Sequence, residues 1–287
     1  SVLQAIFGEE AGSLSPTTVS RLKEVWTAQY ELWRTERLLA SQYAYIWADG
    51  VYFKARLEGE KSCVLVVIGA KFSGEKELLG IVDGVRESEI SWTDLLLELK
   101  GRGMKIDPKL AIGDGALGFW KALKKVFPTT KVQRCWVHKT ANILNLLPKQ
   151  IQPKAKTLIH DIYLADTKEN ANKAFNHFCS TYEDKYPNAV ACLSKDSEVL
   201  LNFYDFPAAH WRHIRTTNPI ESVFATVRLR TYKTKGMGTR KTTLAMVFKL
   251  VKEAEKGWHK INKWIQLELV KEGRVFQDGT LVEESAA

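Results

Sequence analysis

The longest strongly apolar run in the chain is Cys63 to Ala70, inside the segment SCVLVVIGAKF that covers residues 62–72. It is far shorter than the roughly 20 residues a membrane helix needs. Its β-branched side chains suit a strand covered on both faces, which commits the chain to a sheet with apolar partners on either side. The preceding stretch, YAYIWADGVYFKARL, alternates apolar and polar residues, and Asp49-Gly50 interrupts it with a hairpin-turn signal. Residues 43–48, 51–57 and 62–72 therefore read as three consecutive antiparallel strands.

Next, SWTDLLLELKGRG predicts a helix capped by Ser91 and ended by Gly101 and Gly103. KLAIGDG predicts a short buried strand ending at Asp114. GALGFWKALKKVF predicts an amphipathic helix with Phe119, Leu123 and Phe127 on one face, and KVQRCWVHK predicts another short strand. The order β-β-β-α-β-α-β is an antiparallel start feeding parallel crossovers, an α/β class.

Over residues 140–206 the strand signal disappears. Leu144, Leu147, Ile151, Leu158, Ile162, Phe175, Phe178 and Tyr182 keep helical spacing, punctuated by Pro148, Pro153 and Pro187, and predict a helical bundle inserted after the fifth strand. Residues 218–265 read as helical again, broken at 235–238, and the tail from Gln277 reads as frayed. Near the start, Ser15 is a natural N-cap with Pro16 at the first helical position. The helix runs on through Trp26, Tyr30 and Trp33. It fits either the second helix of a helix-turn-helix or any capped surface helix.

The 287 residues hold 42 Lys plus Arg against 33 Asp plus Glu, a formal charge of +9, and 45% are hydrophobic. This composition excludes a disordered or collagen-like chain, and the length suggests about two domains. The surplus charge is uneven. Between Arg212 and Lys241 lie eight basic residues, Arg212, Arg215, Arg228, Arg230, Lys233, Lys235, Arg240 and Lys241, with Glu221 the one acid among them. Such a cluster is either a footprint for nucleic-acid phosphates or a solvated face. Four scattered cysteines with no C-x-x-C pair suit a reducing cytosol rather than a disulfide framework. No basic-then-apolar leader opens the chain, so no secretory signal is expected. The start at Ser1 reads as a fragment or a processed chain.

Three acids stand where the strand order makes them interesting. Asp49 closes the first strand, Asp114 closes the fourth, and Glu221 begins a helix in TTNPIES. In this strand order the first and fourth strands lie parallel and adjacent, so their two aspartates meet. Like charges that close repel unless a cation joins them. Three oxygen donors with open positions suit Mg²⁺ or Mn²⁺. Two such ions roughly 4 Å apart activate a nucleophile and stabilise a leaving oxygen in phosphodiester displacement. Taken singly, Asp49 also reads as a turn residue, Asp114 as a turn or cap, and Glu221 as a complement to the helix dipole.

Cys135-x-x-His138 has the spacing of half a zinc site, with His210-x-x-His213 as a distant second half. The competing readings place His138 beside the carboxylates, orienting the site or the scissile phosphate, and Cys135 in the core. Three apart on a short strand, the two would face opposite ways unless the strand ends between them. GMGTRKTT, residues 236–243, lacks the glycine before the lysine of a phosphate-binding loop and reads as a basic loop touching DNA. Trp136 and Trp211 read as core residues or as platforms for an unpaired base.

In combination, IWADGVYFKAR, LAIGDGALGFWKAL, VQRCWVHK and HWRHIRTTNPIESVFATVRLRT resemble the transposases of bacterial insertion sequences related to the maize Mutator element. GSLSPTTVSRL is similar to the end of that family's DNA-binding region. The resemblance implies a ribonuclease-H-like mixed sheet (β-β-β-α-β-α-β-α) of the DDE type, with an all-helical insertion before the last catalytic acid. It implies Asp49, Asp114 and Glu221 as the catalytic and metal-holding triad, with one pair of Mg²⁺ or Mn²⁺ ions, and Cys135 and His138 as the C-x-x-H motif. It implies that Arg215, Arg228, Arg230, Lys233, Lys235 and Arg240 contact DNA. The partition expected is 1–42 as the remnant of a helix-turn-helix region with a connector, 43–139 as the first part of the core, 140–213 as the insertion, and 214–287 as the final helices with the basic segment. The expected partner is double-stranded DNA, at the transposon ends and the target, bound by a homodimer in the bacterial cytoplasm at the nucleoid, with no membrane. The alternatives are a structure-specific nuclease or resolvase on the same fold, and a non-catalytic regulator derived from a transposase.

Overall fold

A computed structural model describes residues 15–39, 42–54, 61–84, 87–233 and 239–283. Helix α1 (Pro16–Thr35) starts as its sequence dictates. Ser15 is the N-cap and its side chain accepts from the Thr18 N–H, with proline at the start of the first turn. Strands β1 (Tyr45–Lys54), β2 (Lys61–Ala70) and β3 (Lys76–Gly84) form an antiparallel meander. Helix α2 (Glu89–Gly101) then leads to β4 (Leu110–Gly113), and α3 (Leu117–Val126) leads to β5 (Lys131–Arg134), both strands parallel to β1. The sheet order is β3-β2-β1-β4-β5. It is a five-stranded mixed sheet in an α/β chain.

Alternation along β1 sorts the core into two layers. Ile46 and Ala48 face α2 and α3, where Trp92, Leu95, Leu99, Phe119 and Leu123 cover them. Tyr45, Trp47 and Val51 face the other way, toward the helices that follow β5. Those are α4 (Trp136–Leu144), α5 (Gln152–Leu164), α6 (Lys168–Tyr182), α7 (Pro187–Ser194), α8 (Ser197–Leu200) and α9 (Trp211–Ile214), then α10 (Asn218–Lys233), α11 (Arg240–Glu255) and α12 (Gln266–Lys271). No helix among the described residues is long and apolar enough to cross a membrane. The expected break at 235–238 lies outside the described residues.

Four expectations need correction. Asp49-Gly50 is not a hairpin turn: β1 runs straight through it, with Asp49 opposite Val66 and Gly50 opposite Leu65. Ladder bonds to the apolar β2 outweigh the local turn signal, and Gly50 keeps no positive φ. The third strand is Lys76–Gly84 rather than residues 62–72, which form the second. The cap of α2 is Ser88, whose side chain accepts from the Ser91 N–H. The tail does not fray at Gln277. Phe276–Gln277 (β6) and Thr280–Leu281 (β7) form a small hairpin, with Asp278 and Gly279 at φ 49 and 74 in its turn. That turn is fastened to the body by Gly279 N–H donating to the Tyr204 carbonyl at 3.0 Å.

Candidate active site

The parallel pairing of β1 and β4 matches Ala48 with Gly113, so the next residues, Asp49 and Asp114, stand side by side. Asp49 therefore sits within β1, where that strand runs past the end of β4. It is buried, and its alternation points it at the layer holding α4 and α10. The strand expected through KVQRCWVHK stops at Arg134, and Cys135 caps α4. Because the strand ends before Cys135, the opposite-face placement expected of a continuous strand does not arise, and Cys135 and His138 stand one helical turn apart on the same side.

His138 is the centre of the group. Its Nδ1 lies 3.0 Å from Asp114 Oδ2, and its Nε2 lies 3.2 Å from Glu221 Oε1 and 3.8 Å from Asp49 Oδ2. Burial disfavours its charge, but hydrogen bonds to Asp114 and Glu221 outweigh this and hold the imidazolium up to about 11. Burial pushes the Asp49 carboxyl up to about 7, opposed by His138 and reinforced by Asp114, Glu87 and Glu221. Asp114 goes the other way: burial raises it, but the His138 hydrogen bond and charge, with the Arg134 charge, bring it below the ordinary carboxylate range.

Glu221 lies in the first turn of α10 and is held from two sides. Thr217 Oγ1 donates to Glu221 Oε1 at 2.8 Å, and Cys135 Sγ lies 3.9 Å from the same oxygen. Cys135 is the knot of this corner. Its N–H donates to the Gly113 carbonyl at 2.8 Å, and its sulfur receives the Thr217 N–H at 3.3 Å. One buried residue thus fixes the end of β4 to the start of α10. Burial pushes its thiol up, so it stays protonated and works as a packing and hydrogen-bonding group.

Three residues of the site carried no recognised signal. Arg134, almost fully buried, donates Nη1 to Asp114 Oδ1 at 3.1 Å and Nε to Asp196 Oδ2 at 3.2 Å. Thr217 stands one turn before Glu221, which TTNPIES does spell out. Glu87 is a fourth carboxylate: a Cβ placed on Gly50 would lie 2.4 Å from Glu87 Cδ, so glycine there gives the acid its place. Burial raises the Glu87 carboxyl, and Asp114 raises it further.

The basic residues are spread. Arg215 lies over the Tyr163 and Phe203 rings and donates to the carbonyls of Trp211 and Tyr163. Arg240 pairs with Asp83 at 3.8 Å. Arg228, Arg230 and Lys233 fall on α10, but their side chains lie outside the described residues, as does the whole of Lys235. Trp136 and Trp211 are core residues whose indoles donate to the carbonyls of Leu200 and Phe206.

Two groupings of potential metal ligands occur among the described residues, Asp49 with Asp114 and His138, and Cys135 with His138 and Glu221. His210 and His213 join neither. His210 Nδ1 lies 2.7 Å from the Tyr45 hydroxyl, and His213 Nε2 accepts from the Asn262 N–H. The donors that converge are three carboxylates and one imidazole, and the nearby sulfur is a protonated thiol. Three carboxylate oxygens suit a hard divalent cation such as Mg²⁺ or Mn²⁺.

Comparison with known proteins shows the family. Residues 2–261 match the family model described as Transposase, Mutator family. The chain is 50% identical over 281 residues to the transposase for insertion sequence element IS6120 of Mycolicibacterium smegmatis, covering 98% of this chain and 86% of that protein. It is 48% identical to the transposase for element IST2 of Acidithiobacillus ferrooxidans, covering 89% and 86%. It is 30% identical to the transposase for element IS256 in transposon Tn4001 of Staphylococcus aureus, covering 76% and 56%.

Proposed function

This chain belongs to the Mutator family of transposases, and from that premise we propose that it is a DDE-type enzyme on a ribonuclease-H-like core, with Asp49, Asp114 and Glu221 as its catalytic acids. The observation that carries this reading is the meeting of the three carboxylates around His138, brought together from β1, the end of β4 and the first turn of α10.

Asp49, Asp114 and Glu221 would hold one pair of Mg²⁺ or Mn²⁺ ions. Bound there, the ions supply activation of an attacking oxygen and neutralisation of the charge on the reacting phosphate. The chain's own groups do the positioning. Arg134 fixes Asp114 from behind, and Thr217 with Cys135 fixes Glu221, so both carboxylates are oriented before substrate arrives. The imidazolium of His138 stands in the middle and offsets carboxylate charge. With that charge offset by bound cations, His138 would keep its Nδ1 contact with Asp114 and would offer Nε2 to a phosphate oxygen. Water attacks at the transposon end, and the freed 3′-hydroxyl then attacks a target phosphodiester. Each step exchanges one P–O bond for another, and neither needs a covalent enzyme intermediate.

The substrate is double-stranded DNA, at the ends of the element and at the target. Because two ends must be joined, a homodimer at the bacterial nucleoid is the working form. Arg228, Arg230, Lys233 and Lys235 supply phosphate contacts along and beyond α10. Replacing Asp114 with Asn tests the assignment. The variant should fold and bind DNA yet lose strand cleavage by several orders of magnitude; cleavage at the wild-type rate would overturn it.

A further inference from the structure

On the side of Glu221 away from β4, a cavity of about 680 Å³ opens between the start of β3, α9 and the turn after α11. Lys76, Arg212, His213, Trp258 and His259 line it together with Glu221. Lys76 Nζ donates to the His259 carbonyl at 2.6 Å, and no carboxylate among the described residues is paired with it. Burial, then the Arg212 guanidinium, push its ammonium down to about 8. His213 is held down to about 4 by burial and then by Lys76, with Arg212 and His259 adding to the effect. Cationic groups that repel one another across a half-enclosed space are poised for an anion, because one anion relieves both the repulsion and the lost hydration. The single acid of the lining, Glu221, has its Oε1 occupied by Thr217 and His138.

We propose that this cavity is a phosphate subsite for the DNA strand that runs past Glu221, with Arg212 and Lys76 as its ionic contacts and Trp258 as a platform for the adjoining base. The inference rests on the reading of Glu221 as a catalytic acid, since that places the strand at the mouth of the cavity. The half-buried Trp258 presents a ring where a neighbouring base can stack. Arg212 is exposed and reaches the lining from a helix of one turn, so it can adjust to a backbone phosphate without disturbing the core.

The test measures affinity against salt concentration by fluorescence anisotropy on a labelled mixed-sequence duplex, because backbone contacts are independent of sequence. Arg212→Gln should lower the salt slope by about one and weaken binding about tenfold at moderate salt. Lys76→Gln with Arg212→Gln should lower the slope by about two. Mn²⁺ binding and the melting temperature of Arg212→Gln should stay at the wild-type values. A wild-type slope in both variants overturns the proposal, as does weaker binding with an unchanged slope, because the contact would then not be ionic. Asp114→Asn, measured alongside, separates this result from the catalytic assignment. It should keep the wild-type slope while failing to cleave, and cleavage by it would sink the catalytic reading whatever the cavity variants do.

Discussion

His138 shows how one side chain can organise charges that would otherwise drive each other apart. Its position follows from β5 ending at Arg134 and Cys135 capping α4, which turns a C-x-x-H spacing into a single face. The residues that orient the acids should then matter almost as much as the acids. Thr217→Val removes the hydroxyl that fixes Glu221 Oε1 and keeps the shape. It should weaken Mn²⁺ binding or cleavage by about 10–100-fold, and calorimetry on the folded variant checks it; undiminished affinity would mean that Glu221 is not held by Thr217 in solution. Gly115 carries a different burden. A Cβ there would lie 2.4 Å from Arg134 Cζ, and that guanidinium is pinned by both Asp114 and Asp196. Gly115→Ala should therefore cost about 1–3 kcal/mol of stability, read from urea unfolding. Gly50→Ala meets the freer end of Glu87 and should cost less.

Between elements, one of the ties from the helical insertion to the sheet is ionic, beside neutral bonds such as Gln133 donating to the Leu200 carbonyl. Asp196, next to α8, receives Arg134 from β5 at 3.2 Å and Lys139 from α4 at 2.6 Å, and both basic side chains are almost fully buried. Asp196→Ala leaves the buried Lys139 without a carboxylate and Arg134 with Asp114 alone, and should destabilise the chain by about 3 kcal/mol. Asp196→Asn, which keeps a hydrogen-bond acceptor, should lose less; equal stability of the alanine variant and the wild type in urea would remove the tie. No spacing announces this contact, because Arg134 and Asp196 are joined only by the packing of the insertion. The same limit explains which elements were legible. The crossover helices, the short strands beside β1 and the pairing of Asp49 with Asp114 follow from apolar periodicity and strand order. The Asp-Gly pairs do not sort themselves locally. Asp49-Gly50 lies against the ladder of β2 and stays extended, whereas Asp278-Gly279 has only a two-residue ladder and makes the turn. Strand β3 escaped notice because Lys76 and Glu77 open it and Asp83 and Gly84 close it, which hides its apolar centre. Glu87 had no signal at all: its place depends on a glycine 37 positions earlier.

Across the whole molecule, buried histidines set the acid side of the stability curve. His210 is fully buried with the Tyr45 hydroxyl at Nδ1 and the Lys263 carbonyl 3.5 Å from Nε2. The neutral ring can donate from Nε2 to the Lys263 carbonyl and accept the Tyr45 hydroxyl at Nδ1, and burial opposes the imidazolium. Burial holds His210 down to about 4, and His213 down to about 4 for the same leading reason. The unfolded chain takes up these protons near the ordinary value of about 6.5. Above that pH both states are neutral and nothing is lost. As pH falls from about 6.5 toward 4, the unfolded state binds protons that the folded state refuses, and stability falls. At pH 5 the loss is about 2 kcal/mol for His210 and less for the more exposed His213. On the alkaline side, His138 has the opposite sign. Its folded value near 11 means that the cation-free protein is fully stabilised below about 6.5 and loses that contribution as pH rises toward 11. Asp49, pushed up to about 7, has the same sign as His138: its contribution is full below about 4 and lost as pH rises through 7, so between pH 7 and 4 it opposes the loss at His210 and His213. Urea midpoints of the cation-free chain should therefore fall on the alkaline side, and Asp49→Asn, which removes the opposing group, should steepen the fall on the acid side. Because the proposed ions take over the neutralisation that His138 provides, added Mn²⁺ should flatten the alkaline limb; an alkaline limb as steep with Mn²⁺ as without it would mean that the ions do not bind among the acids His138 touches.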